Sequence, residues 1–241
     1  MSEILLRKTL DEAEKQGRKV RLWLRDDDAV EPTEPLERLL DLSRTHGIPV
    51  TLAVIPKETG EALVRRLDEA PLASVVLHGW SHQNHAPMGE KKQELGLHRP
   101  SQVVLAELKE GLDKLVTLHS PRFIPMLVPP WNRLAPSLWP DLPALGLKLL
   151  SVFGKERDAS PIPLMNTHVD IMDWHGTGGG RPAADLSAEL AGWIARTDAP
   201  PAIGILTHHL VHDPAAWEFL EALFAITAAH PACEWGRPDV D

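Results

Sequence analysis

Apolar and polar positions alternate in blocks along this chain. Short runs rich in β-branched and aliphatic residues, VRLWLR from Val20, PVTLAV from Pro49, ASVVLH from Ala73, FIPMLV from Phe123, LKLLSV from Leu147, NTHVDIM from Asn166 and AIGILTH from Ala202, read as strands. The stretches between them carry apolar residues at helical spacing: TEPLERLLDLSRTHG, ETGEALVRRLDEA, SQVVLAELKEGLDKLVTLH, ADLSAELAGWIAR and PAAWEFLEALFAITAAH. The opening MSEILLRKTLDEAEKQGRK has the same spacing and reads as an amphipathic helix rather than a secretory leader. Strand followed by helix, repeated, predicts an α/β fold, a distorted (β/α) barrel of about seven largely parallel strands. Gly47 is expected to close a helix, while Ser101 and Asp213 are expected to cap helix N-termini. With no repeat or linker visible, residues 1–241 are expected to form a single domain.

Composition narrows the function classes. A formal net charge of −9 with no basic stripe argues against a nucleic-acid surface. No apolar run approaches the ~20 residues that span a bilayer, and the single Cys233 excludes an internal disulfide framework. The expected protein is cytoplasmic, with a small-molecule substrate and any metal held through His and carboxylate. Monomer and dimer stay equally open.

The chemistry concentrates where strands end. Asp26, Asp27 and Asp28 end the first run, His78 the third, Asp170 and Asp173 the sixth, and His208 and His209 the seventh, while Pro129 to Arg133 follow the fourth. In a barrel of parallel strands these ends share one rim, where active sites are built. LRDDDAV taken alone reads as an exposed acidic turn, because adjacent carboxylates repel unless solvated or neutralised. In HGWSH, His78 and His82 are spaced to reach one ion, with Asp28 able to complete the set; a loop of separately solvated histidines is the competing reading. Two imidazoles and a carboxylate suit Zn²⁺ best, with Co²⁺, Mn²⁺, Ni²⁺ or Fe²⁺ as alternatives. A neighbouring carboxylate would then serve as general base. Of the adjacent His208 and His209 only one is expected to enter the site directly, as general acid. GTGGGR from Gly176 matches neither a P-loop nor a dinucleotide fingerprint and reads as a flexible rim loop.

In chain order these pieces resemble the polysaccharide deacetylases (NodB-homology, carbohydrate esterase family 4), specifically a cytoplasmic-type member, from Asp26 to His209. The resemblance implies Asp27 as catalytic base, Asp28, His78 and His82 as metal ligands, and His208 as the acid that protonates a leaving amine. It implies that PPWN, Pro129 to Asn132, supplies an oxyanion-holding amide at Trp131, and that DIMDW, Asp170 to Trp174, lines the site. Trp80, His85, Trp131, Asn132, Asp173 and Trp174 are the expected substrate contacts, and the polar segment after HGWSH is expected to add specificity through His85, Glu94 or Arg99. The chain departs from the family pattern in Val128, which stands where an Arg usually pairs with the base, and in Ala29, which replaces a Gly. Arg25 and Arg133 are candidates for the missing cation. The implied activity is metal-dependent removal of an acyl group, N-acetyl above all, from a sugar or related amide. The alternatives are a metal-dependent amidohydrolase acting on a non-sugar C–N bond, and an inactive binding module on the same fold.

Overall fold

A computed structural model of the chain describes residues 2–157 and 159–239. All seven expected strands are present: β1 (Val20–Ala29), β2 (Val50–Val54), β3 (Ala73–His78), β4 (Phe123–Val128), β5 (Leu149–Leu150), β6 (Val169–Asp170) and β7 (Ile203–Thr207). An eighth, β8 (Cys233–Gly236), pairs in parallel with β1 and was not expected from the sequence. Its CEWG is half polar, with none of its residues fully buried, so it lacks the apolar run that marked the others. The sheet order is β5-β4-β3-β2-β1-β7-β6, and each described pairing is parallel. This is the α/β, (β/α)-barrel-like class that the alternation predicts.

The chain folds into two compact units that interleave in sequence. The first contains residues 1–26, 33–50 and 167–237. It holds α1 (Ser2–Lys15), α2 (Glu34–His46), α6 (Ala183–Ala195) and α7 (Pro214–Thr227), together with most of β1 and with β6, β7 and β8. All five residues of β7 are buried, as in a parallel strand covered on both faces. The helix ends follow local chemistry. Thr33 caps α2 by accepting from the Leu36 amide at 3.2 Å, and Gly47 closes it with φ 66°, a conformation that costs glycine little. Asp213 caps α7, accepting from Ala216 N at 2.9 Å. Cys233 sits on β8, where burial pushes its thiol up to about 12 against a small opposing effect of Lys19.

The second unit contains residues 27–32 and 51–166, with 238 and 239. It carries β2 to β5 with α3 (Glu61–Asp68), α4 (Ser101–His119) and α5 (Leu142–Leu145). Every residue of β3 is buried, and α4 packs on β3 and β4 through Val104, Leu108, Leu112 and Leu115. Ser101 is not the N-cap expected of it. It is the first residue within α4, and Pro100 occupies the cap without a side-chain hydrogen bond. Pro100 fixes the extended entry and leaves the serine one position too late.

At the other end of α4, His119 is 1% exposed, and neither ring nitrogen has a hydrogen-bond partner among the described residues. Burial first, then the nearby Arg122, lowers its pKa to about 4, with Asp68 opposing. The folded protein therefore binds fewer protons here than the unfolded chain between pH ~6.5 and about 4. Stability is fully present above that window and declines as pH falls through it. Replacing His119 by Phe should shrink the difference between the urea midpoints at pH 7 and pH 5. An unchanged difference would remove His119 from the acid sensitivity.

Candidate metal centre

The DDD triplet lies within β1, not in a turn. Asp26 is 0% and Asp27 2% exposed, so the exposed acidic turn suggested by these residues alone is not what forms. The strand continues through them to Ala29, which keeps the carboxylates inside. Asp28 breaks the strand's backbone regularity with φ 74°.

In the second unit, Asp28, His78 and His82 converge, their ligand atoms all within 4.8 Å of one another. His78 Nε2 lies 3.0 Å and His82 Nε2 3.3 Å from the same Asp28 Oδ1. At its other nitrogen, His78 Nδ1 is 2.9 Å from the Val128 carbonyl. A carbonyl only accepts, so Nδ1 carries the hydrogen and the Nε2 of a neutral ring presents a lone pair to a carboxylate oxygen. Lone pair facing lone pair is unfavourable unless the ring is protonated or a cation lies between. Separations of 3.0 and 3.3 Å match the edges spanned by two ligands each about 2.0–2.1 Å from one ion. The donor set fits a divalent metal. Burial, and next the neighbouring His78, hold His82 below its ordinary pKa, with Asp28, Glu94 and Asp27 opposing. Val128 thus contributes through its backbone, fixing the tautomer of His78.

The backbone is unusual at these same places. Among the described residues the non-glycine positions with positive φ are Asp28, His82, Trp131 and Asn132, and all four belong to the expected site. Such conformations cost of order 1–3 kcal/mol each and persist where the surroundings over-determine them. One source of that constraint is Glu94, 0% exposed. Its carboxylate accepts from Trp80 N at 3.2 Å, Ser81 N at 2.7 Å and Ser81 Oγ at 3.0 Å. Gly79, with φ 59°, leaves room for it: a Cβ there would lie 2.1 Å from Glu94 Oε2 and 2.7 Å from the Pro130 ring. Only glycine fits the second position of HGWSH.

The specificity role expected of Glu94 is therefore corrected. Buried and accepting from three donors, this carboxylate shapes the loop between the two histidines rather than facing solvent. Arg99 likewise spends its guanidinium on Glu107, with two contacts of 2.8 Å. His85 stands apart from the ligand cluster, half-buried, its amide donating to Gln93 O at 3.0 Å. Trp131 packs its ring 4.4 Å from that of His82, and Asn132 follows it in the 3-10 turn Pro130–Asn132. Trp80 is half-buried, its carbonyl accepting from Lys57 N at 2.9 Å.

In the first unit, His208 and His209 diverge as adjacent residues should. His209 is buried and hydrogen-bonds through both its amide and its Nδ1 to the fully buried Asp26 carboxylate. His208 instead meets the Trp174 ring edge-on at 4.7 Å. Asp170 Oδ2 accepts from Trp174 Nε1 at 2.8 Å and Oδ1 from Met172 N at 3.0 Å, so it orients the indole that His208 touches. Asp173 accepts from Thr177 N, and Asp213 accepts from Gly180 N, both at 3.0 Å. These two carboxylates thus hold the glycine stretch at Thr177 and Gly180.

No protein-family model matches this sequence, and no curated protein matches it. Solved structures do. A family 4 carbohydrate esterase from Streptomyces lividans in complex with acetate aligns over 90% of this chain and 92% of its own, at 15% identity and a TM-score of 0.61. The fold is that of the polysaccharide deacetylases. A polysaccharide deacetylase structure from Mycobacterium smegmatis aligns over 91% and 87% at 16% identity, TM-score 0.64. A family 4 acetyl xylan esterase from Clostridium thermocellum, in complex with a cobalt ion, aligns over 90% and 87% at 16% identity, TM-score 0.55. On this deacetylase fold, truncating Glu94 to Ala should release the Trp80 and Ser81 amides and weaken Zn²⁺ binding about 10–100-fold. Titration against a competing chelator reads the change, and unaltered affinity would show that the loop holds its shape without the clamp.

Proposed function

We propose that this protein is a metal-dependent hydrolase that removes an acyl group, N-acetyl above all, from a sugar or related amide. The observation that carries the reading is the convergence of Asp28, His78 and His82 on one point of the second unit. The deacetylase fold and the left-handed backbone at four expected site residues support it. A divalent ion held there would supply Lewis-acid polarisation of the scissile carbonyl and of water. Zn²⁺ suits two imidazoles and a carboxylate, and Co²⁺, Mn²⁺, Ni²⁺ or Fe²⁺ are the alternatives.

The chain's own residues do the rest. Asp27, 2% exposed and next to a ligand, accepts the proton of the attacking water. The Trp131 amide, presented from a 3-10 turn, donates to the oxygen that gains charge as the carbonyl carbon becomes tetrahedral. Protonation of the departing amine is assigned to His208 on its place in Leu206 to His208, and Trp174 orients that ring. Trp80 and Trp131 offer apolar surfaces to a sugar ring or acyl group, while Asn132, Asp173 and His85 are polar contacts for it. Arg25, fully buried in β1, and Arg133, which donates to the Lys92 carbonyl at 2.7 Å, are the cations nearest in sequence to the first and third motifs.

Acetate release from N-acetylated sugars, and from non-sugar acetamides in parallel, tests the reading. Chelation should abolish it and added Zn²⁺ or Co²⁺ restore it, whereas Asp27→Asn should cost about 10²–10⁴-fold in kcat with the metal still bound. Activity that survives chelation or is unchanged in Asp27→Asn would defeat the assignment. Val128 favours a second reading, a module that keeps the ion without turnover. Stoichiometric metal with no hydrolysis of any amide in the panel would select it.

A further inference from the structure

Beside the candidate centre, wholly within the second unit, lies a cavity of about 510 Å³. Asn132 lines it, and the preceding Trp131 packs on His82. Its charge is the reverse of the chain's. Among the described residues, Lys91, Arg133, Lys155 and Arg157 line it against one carboxylate, Glu90, in a protein of formal charge −9. A fifth cation, Lys92, stands 6.0 Å from the Trp131 ring. The nearby Glu156 is committed elsewhere, accepting from Asn166 N at 3.1 Å. Lys91, Arg133 and Arg157 around one concavity repel one another unless solvent or an anion neutralises them.

Solvated surface lysines and arginines are the plain alternative, and charge alone would not displace it. One further observation points to a ligand. Trp139, 9% exposed, lines the cavity, and its Nε1–H is buried without a hydrogen-bond partner among the described residues. A buried donor is unfavourable in that state unless something accepts from it. Part of the lining is hydrogen-bonded in place: Asn166 accepts from Val152 N at 3.0 Å and donates to the Gly154 carbonyl at 2.8 Å, fixing the loop that carries Phe153. The Arg157 guanidinium carbon lies 5.5 Å from the Trp139 ring centroid, a cation over the same indole.

We propose that this cavity binds an anionic group, phosphate or carboxylate, carried by the substrate whose acyl group reacts at the neighbouring centre. The proposal names a substrate class and so rests on the hydrolase reading above. Its chemistry is an anion recognised by Lys91, Arg133 and Arg157, with the Trp139 indole donating to it. The substrate is accordingly an acetylated sugar or amide with a negative charge a short reach from the scissile bond.

Calorimetric binding of N-acetylglucosamine, N-acetylglucosamine 6-phosphate and N-acetylmuramic acid to the metal-loaded Asp27→Asn protein separates the cases. At low ionic strength at least one anionic sugar should bind ten or more times tighter than the neutral one, and the two anions tell phosphate from carboxylate. Lys91→Gln with Arg157→Gln should remove most of that preference, and Trp139→Phe should reduce it severalfold. Lys15→Gln with Arg44→Gln, which removes the same charge from exposed positions on α1 and α2, should retain it. Equal binding of neutral and anionic sugars, or a preference indifferent to the cavity substitutions, would overturn the proposal. Wild-type acetate release keeps the two ideas apart. An anion preference without hydrolysis would defeat the hydrolase reading and leave the cavity as a binding site. Hydrolysis of the neutral sugar without any anion preference would do the reverse.

Discussion

One carboxylate oxygen faced by two imidazole nitrogens is the contact on which the rest of the centre depends. Asp28 Oδ1 meets His78 and His82 within 3.3 Å, and nothing in ordinary packing favours gathering those groups. The surrounding chain supplies the constraint. The Val128 carbonyl orients one ring, Trp131 packs on the other, and the Glu94 clamp shapes the loop between them. Several kinds of local cost accumulate in one place, left-handed backbone and a buried carboxylate among them. Natural folds tolerate such costs where binding or chemistry needs the geometry.

Most of this fold is legible in the sequence because its strands are apolar runs bounded by helical spacing. A strand buried on both faces announces itself, as β2, β3 and β7 do with every residue inside. The eighth strand escapes the same test because CEWG is half polar. Ser101 misleads for a related reason: the residue type of a cap is visible in the sequence, but the position of the cap is set by Pro100. The interleaving of the two compact units has no local signature, since it depends on which distant segments pack together.

The site is legible to a different depth. Residue types that ligate metals stand out at strand ends, so Asp28, His78 and His82 could be picked out before any coordinates. The residues that hold them could not. Glu94 sits in a polar stretch, SHQNHAPMGEKKQELGLHR, where nothing distinguishes a saturated structural carboxylate from a solvent-facing one. Gly79 offered a hint, because a glycine directly after a strand often marks close approach of other groups. Asp26 is the reverse case: it reads as a surplus charge, and the structure gives it to His209.

Cys233 carries a practical consequence for studying this protein in solution. With its thiol held up to about 12, it remains almost wholly protonated at neutral pH, and a protonated thiol is a poor nucleophile. It is also the chain's sole cysteine. A cysteine engineered on an exposed helix would therefore react far faster with a maleimide or spin label than the native one. The protein comes with a nearly silent background for attaching probes, and distances between labels could be followed without first stripping out its own sulfur chemistry.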